Sequence, residues 1–231
     1  MKRMAIIFLG LTLISNLCWA ADSLDLEDDK IRTSYSVGYQ VGGDFIRQGM
    51  DINPEVLIKG VQDALSGTEP VMSAQEMRQT LVDLNKKVLA LQKEKEMALA
   101  ETNSAEGKAF LDENGKKDSI KTLPSGLQYE IIKGGTGAPP KVTDTVTVHY
   151  RGTLIDGTEF DSSYKRNAPA TFRLDRVIKG WTEGLQLMQP GAKLLFFIPP
   201  DLAYGERGAG GTIGPNSTLI FEVELLAVEG S

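Results

Sequence analysis

Apolar positions in this chain recur at steps of three and four in the first half and at steps of two in the second. From residue 23 to about residue 114 the period is helical. Ile31, Tyr35, Gly38, Gly42 and Phe45 mark one face of a first helix. The glycines on that face let another helix approach closely, at some cost in helix propensity. Asn53-Pro54 is an N-cap and first-turn pair for a second helix carrying Leu57, Ile58, Val61 and Leu65, with Gly67 as its stop. Ser73-Ala74-Gln75-Glu76 has the form of a capping box, and Met77, Leu81, Leu84, Val88 and Leu91 form a stripe behind it. The stripe then fades, since Lys95 takes the next apolar place and only Ala98 follows, before the pattern resumes at Phe110 and Leu111. No breaker appears before Gly107, so a helix over residues 73–114 would span roughly 60 Å at ~1.5 Å per residue. Residues 92–106 offer little to bury and read as a solvated, rod-like spacer.

From residue 122 onward short strands alternate with Gly/Pro turns. Residues 127–133 read as a strand, and Val146, Val148 and Tyr150 share one face of the next. Asp156-Gly157 is a hairpin turn. Residues 178–188 read as a short helix closed by Pro190-Gly191, and 192–198 and 219–228 as further strands, with Phe221, Val223 and Leu225 on one face of the last. The economical architecture is α+β, an antiparallel sheet wrapped on one short helix behind an all-α N-terminal half. The N-terminal helices make a core too small for independent stability. A symmetric dimer through residues 21–70 would bury their apolar faces; packing as a helical hairpin onto the second half is the alternative.

The ends and the charge narrow the function. Lys2 and Arg3, an apolar run over residues 4–13 and Cys18-Trp19-Ala20 read as a signal peptide cleaved after Ala20. Lipid attachment at Cys18 and an uncleaved anchor are the alternatives. The formal charge of the 231-residue chain is −6, and removing Lys2 and Arg3 with residues 1–20 makes it −6 − 2 = −8. So acidic a protein is repelled by phosphate backbones, which argues against nucleic acid as a partner. Cys18 is the only cysteine and leaves with the leader, so no disulfide is expected. His149 is the only histidine, which excludes zinc clusters and Ser-His-Asp or Cys-His chemistry. No metal or other cofactor is expected.

The strings Val148-His149-Tyr150-Arg151-Gly152, Asp156-Gly157-Thr158-Glu159-Phe160-Asp161-Ser162-Ser163, Val177-Ile178-Lys179-Gly180-Trp181 and Ala203-Tyr204-Gly205 bring aromatics and one acid to strand ends and turns. That mixture suits an apolar cup with a few polar groups at its lip. Singly, Trp181, Phe221 and Val177 read as core, Asp161 as a turn acid, Tyr204 as a loop aromatic and Arg166 as a surface charge. His149, beside Tyr150 on the strand, points to the opposite face.

In their order and spacing these strings, with the terminal Thr218–Leu226 run, resemble the FKBP family of peptidyl-prolyl cis-trans isomerases. The full layout resembles the macrophage infectivity potentiator group within it. The resemblance implies a leader over residues 1–20, a dimerising helical domain over 21–70, a long connecting helix over 71–115 and an isomerase domain over 122–231. It also implies that Trp181 floors a proline pocket walled by Tyr150, Phe160, Val177 and Phe221. Ile178 would offer its backbone N–H and Tyr204 its hydroxyl to substrate carbonyls. Asp161 would accept hydrogen bonds at the rim, Ile213 would lie in a flap over the site, and Arg166 would brace the Asp and Tyr groups. The implied partners are proline-containing peptides, unfolded proteins and rapamycin-type macrolides, acting in the periplasm or at the outer membrane or cell surface of a Gram-negative bacterium. A dimeric proline-directed chaperone, or a surface virulence or adhesion factor, is the rival reading. Relative to the small members, Ala170 replaces an aromatic, Ala209 replaces a histidine, and Val177 follows a loop two residues shorter. The first two leave a more open lip.

Overall fold

The computed structural model describes residues 24–229. The leader reading over residues 1–20 lies outside them. The chain divides into two compact units, one ending at Ser73 and the other beginning at Ala74.

The first unit holds α1 (Asp29–Gln48) and α2 (Pro54–Ser66). Asp28 caps α1 by accepting from the N–H groups of Lys30 and Ile31 at 2.7 and 3.2 Å. Asn53 caps α2 by accepting from Val56 N–H at 3.1 Å, with Pro54 in the first turn. Gly49 and Gly67 end the helices in the left-handed conformation, with φ of 68° and 69°, where a side chain would be strained. No residue of either helix is buried. Tyr35, Tyr39, Ile46, Val56 and Leu65 are all more than half exposed.

The second unit opens with α3 (Ala74–Asn114). The spacer reading of residues 92–106 fits only their first part, because residues 92–99 are exposed and Ala100, Asn103 and Gly107 are not. Asn103 Nδ2 donates to Pro215 O at 2.7 Å. A methyl on Gly107 would sit 2.3 Å from Thr218 Oγ1, so the helix backbone lies against that residue. The rings of Phe110 and Phe197 are 5.9 Å apart. Asn114, 2% exposed, donates to Gln128 Oε1 at 2.9 Å, and Gln128 Nε2 returns a bond to Leu111 O at 2.8 Å. The docked face, Ala100, Asn103, Gly107, Phe110 and Asn114, keeps helical spacing. It is built mostly from small and amide side chains, which a search for large apolar residues passes over.

Seven antiparallel strands follow: β1 (Ile120–Thr122), β2 (Gln128–Lys133), β3 (Thr145–Leu154), β4 (Glu159–Ser162), β5 (Ala170–Arg173), β6 (Lys193–Ile198) and β7 (Leu219–Glu229). They pair in the order β1-β2-β6-β7-β3-β4. β5 joins the same edge of β3 as β4, lying along its first half. Between β3 and β4 the turn closes through Leu154 N–H to Thr158 O at 2.9 Å, and Asp156 Oδ1 accepts from Thr158 N–H.

On β3, Val146, Val148 and Tyr150 face inward; on β7, Leu219, Phe221, Val223 and Leu225 do the same. α4 (Lys179–Leu185) packs on this inner face. Its approach depends on Gly180 and Gly184, one turn apart. A methyl there would meet Ile198 Cγ2 at 2.5 Å and Phe196 Cε1 at 2.7 Å. The two glycines thus seat the helix on the sheet and deliver Trp181 to the core.

Candidate active site

A cavity of about 590 Å³ opens between the sheet, α4 and the β6–β7 connection. β3 supplies Tyr150, β4 supplies Phe160 and Asp161, β5 supplies Phe172, and β7 supplies Phe221. Val177 and Ile178 come from the segment entering α4, Trp181 from α4 itself, and Tyr204 and Ile213 from the β6–β7 connection. Every residue to which the resemblance gave a pocket role therefore lines the cavity except Arg166, which stands behind the rim.

Trp181 is only 4% exposed yet forms part of the lining. Three rings stand nearly perpendicular to its indole: Tyr150 at 5.2 Å and 86°, Phe172 at 5.5 Å and 89°, and Phe221 at 5.2 Å and 80°. Edge-to-face contacts of this kind are favourable and fix ring orientation. Together they make a box whose base is the indole. Its Nε1 is buried and has no hydrogen-bond partner among the described residues. Phe160 packs edge-on against Phe221 at 5.4 Å. That contact depends on Gly152, since a methyl there would lie 2.5 Å from Phe160 Cε2 and 2.8 Å from Phe221 Cε1.

The rim is polar and interlocked. Tyr150 donates its hydroxyl to Asp161 Oδ2 at 2.5 Å, and Arg166 Nη2 donates to the same hydroxyl oxygen at 2.7 Å. Arg166 Nη1 bonds the other carboxylate oxygen of Asp161. The tyrosine that Arg166 braces is therefore Tyr150, in the wall of the box. Burial acts to raise the Asp161 pKa, but the hydrogen bonds from Tyr150 and Arg166 and the guanidinium charge outweigh it and hold the carboxyl below its ordinary value. Burial, aided by the bond to Asp161, pushes the Tyr150 hydroxyl up. Both groups thus keep the forms that this network needs, carboxylate and phenol.

The Ile178 N–H and the Tyr204 hydroxyl are also uncommitted. Ile178 precedes α4, and its N–H forms no hydrogen bond among the described residues, while its carbonyl accepts from Trp181 and Thr182. The Tyr204 hydroxyl likewise forms none, and the residue is 41% exposed at the mouth. Ile213 is held over the cavity by paired backbone bonds with Ala209 at 2.8 and 3.0 Å. His149 does face away from the cavity, stacked on Tyr164 at 4.8 Å.

Sequence reasoning missed Phe172, Arg176, Gly210 and Thr212 as lining residues. Phe172 had a signal in the alternation of β5, where Ala170 and Phe172 face the core and Thr171 and Arg173 face solvent. Ala209 lines the cavity and Ala170 does not. The site holds no cluster of His, Cys, Asp and Glu suited to a metal, and none occurs elsewhere among the described residues. What the arrangement offers is an apolar box, a fixed carboxylate, and free donors on Ile178 and Tyr204 among others.

Two family models match the chain. Residues 137–226 match the FKBP-type peptidyl-prolyl cis-trans isomerase family, and residues 30–131 match the domain amino terminal to FKBP-type peptidyl-prolyl isomerase. The chain is 48% identical over 229 residues to the Outer membrane protein MIP of Legionella longbeachae, covering 99% of this chain and 98% of that protein. It is 46% identical over 230 residues to the peptidyl-prolyl cis-trans isomerase Mip of Coxiella burnetii, covering 99% of each. Among solved structures, FkpA from Escherichia coli matches with a TM-score of 0.71 and 42% identity, over 88% of this chain and 98% of that one. These matches favour the isomerase over the chaperone or adhesion reading.

Proposed function

The chain belongs to the FKBP-type peptidyl-prolyl cis-trans isomerases, enzymes that accelerate rotation about X–Pro bonds, and from that premise we propose that the Trp181 cavity is where the bond turns. The observation carrying this reading is the box itself. Three rings stand nearly perpendicular to the indole, which lines the cavity beside a carboxylate already satisfied by Tyr150 and Arg166.

Amide resonance sets a barrier of ~18–20 kcal/mol to this rotation. A ten-thousandfold acceleration requires lowering it by about 5.5 kcal/mol. No bond is broken, so neither nucleophile nor proton shuttle is needed. The apolar walls strip water from the carbonyl of the X–Pro amide and disfavour its charge-separated form. The box accommodates the twisted amide better than either planar form. Ile178 N–H and Tyr204 OH, both uncommitted, hold the flanking carbonyls. Asp161 acts as a fixed charge that locks Tyr150 in the wall, and Ile213 covers the bound residue. The same apolar box would receive a rapamycin-type macrolide.

The test is isomerisation of a short Xaa-Pro peptide. Trp181→Leu should lower kcat/KM at least tenfold, with Asp161→Asn and Tyr204→Phe giving smaller losses. Wild-type rates in Trp181→Leu would place the chemistry elsewhere.

We further propose that residues 21–70 form a homodimer, because α1 and α2 leave Tyr35, Tyr39, Ile46 and Leu65 unburied in the single chain. Sedimentation of the protein with and without residues 21–70 tests this. Residues 1–20 direct export, and the protein acts in the periplasm or at the outer membrane of a Gram-negative cell. A similar protein carries the name Outer membrane protein MIP, and cell fractionation decides between the two compartments.

A further inference from the structure

Two of the residues lining the cavity carry charge, Asp161 and Arg176, and they differ in how they are held. Asp161 is committed to Arg166 and Tyr150. Arg176 sits next to Val177 and Ile178 at the exposed edge. The acid beside it in sequence, Asp175, is taken by Arg173 through contacts of 3.1 and 2.6 Å. Among the described residues Arg176 has no ion-pair partner. The segment 173–179 carries Arg173, Arg176 and Lys179 against Asp175 alone, so its formal charge is +3 − 1 = +2 in a chain whose formal charge is −6. The lip on this side of the cavity is therefore locally cationic, with one guanidinium outside any ion pair.

We propose that Arg176 is a specificity-determining residue that selects proline sites flanked by an acidic side chain. The inference rests on the reading of the Trp181 cavity as the proline site. A guanidinium presents a planar fork of donors that matches a carboxylate in two-point contact. A substrate Glu or Asp next to the proline would find that fork unpaired, so no internal bond has to be broken first. A substrate Lys or Arg there would meet net positive charge. The contact exists equally in the bound ground state and in the rotating state, so it shows mainly in KM.

The experiment measures kcat/KM of the full-length protein on short chromogenic peptides. Glu and Gln are compared at the position before proline and, in a second pair, at the position after it. The preference for Glu over Gln should be about 1.5- to 5-fold at one of the two positions, the range of an exposed ion pair. It should vanish in Arg176→Gln, invert in Arg176→Glu, and shrink toward unity for the wild type near 1 M NaCl. A Glu:Gln ratio that is the same in wild type, Arg176→Gln and Arg176→Glu at both positions overturns the proposal. Trp181→Leu and the milder Trp181→Phe separate the two levels. If they lower kcat/KM on every peptide while the ratio ignores Arg176, the site stands and the selectivity falls. If they change nothing, the site itself is misassigned.

Discussion

Replacing Gly152 with alanine tests the aromatic wall at its tightest point. The added methyl would lie 2.5 and 2.6 Å from Phe160 Cε2 and Cζ and 2.8 Å from Phe221 Cε1. Ordinary carbon contacts lie at about 3.5–4.0 Å, so each ring must retreat by roughly 1 Å. Phe221 cannot do so freely, being 5% exposed and set against Trp181 at 5.2 Å. Phe160 is half-buried at the mouth and gives first. Overpacking of this kind costs about 1–3 kcal/mol, which chemical denaturation would read as a lower midpoint at unchanged slope. The larger effect should be on catalysis, because displacing a positioning group by about 1 Å can cost on the order of a hundredfold. We expect kcat/KM on a short Xaa-Pro peptide to fall at least tenfold while the far-ultraviolet circular dichroism stays native. Wild-type activity in a folded Gly152→Ala protein would refute the claim that the Phe160–Phe221 wall is held tightly enough to shape the transition state.

Three further outcomes follow from the same structure. Arg166→Leu removes the partner shared by Asp161 and Tyr150 and should lower kcat/KM severalfold; Arg166→Lys should not restore it, because an ammonium cannot fork across both groups. Asp161 has a folded pKa below its unfolded one, so its contribution to stability is complete above about pH 4 and is lost as pH falls through the folded value. With Tyr150 shifted upward, peptide kcat/KM should stay flat from about pH 5 to pH 9, and Asp161→Asn should weaken the acid dependence of stability below pH 4. Asn114→Ala leaves the buried Gln128 Oε1 without its donor and should destabilise the second unit by about 1–3 kcal/mol in urea unfolding.

Much of the fold was legible because its signals are local. Alternation in Val146-Thr147-Val148-His149-Tyr150, the Asp156-Gly157 turn and the Asn53-Pro54 cap each depend on neighbours within a few residues. The box residues were legible for a different reason. Tyr150, Phe160, Trp181 and Phe221 belong to strings whose order and spacing resemble one family closely enough to carry residue roles. Phe172 and Arg176 stand outside those strings, and the cavity shows them only once β5 is laid along β3. The docking of α3 was hidden because, Phe110 apart, its contacting face is made of Ala100, Asn103, Gly107 and Asn114, small or amide side chains that form no stripe of large apolar residues.

By itself the order of amino acids determined the Asn53-Pro54 start of α2, the Asp156-Gly157 turn, the apolar sides of β3 and β7, and which chemistry is impossible with one histidine and one cysteine. Periodicity, capping and turn conformation act over a few bonds, so the chain alone states them. Only the folded arrangement decided that Arg166 serves Tyr150, that Arg173 claims Asp175 and frees Arg176, and that two glycines bring α4 close enough to put Trp181 under the cavity. Those are choices among competing partners brought together by long-range pairing, and a charge or a gap has no meaning until its neighbours in space are known.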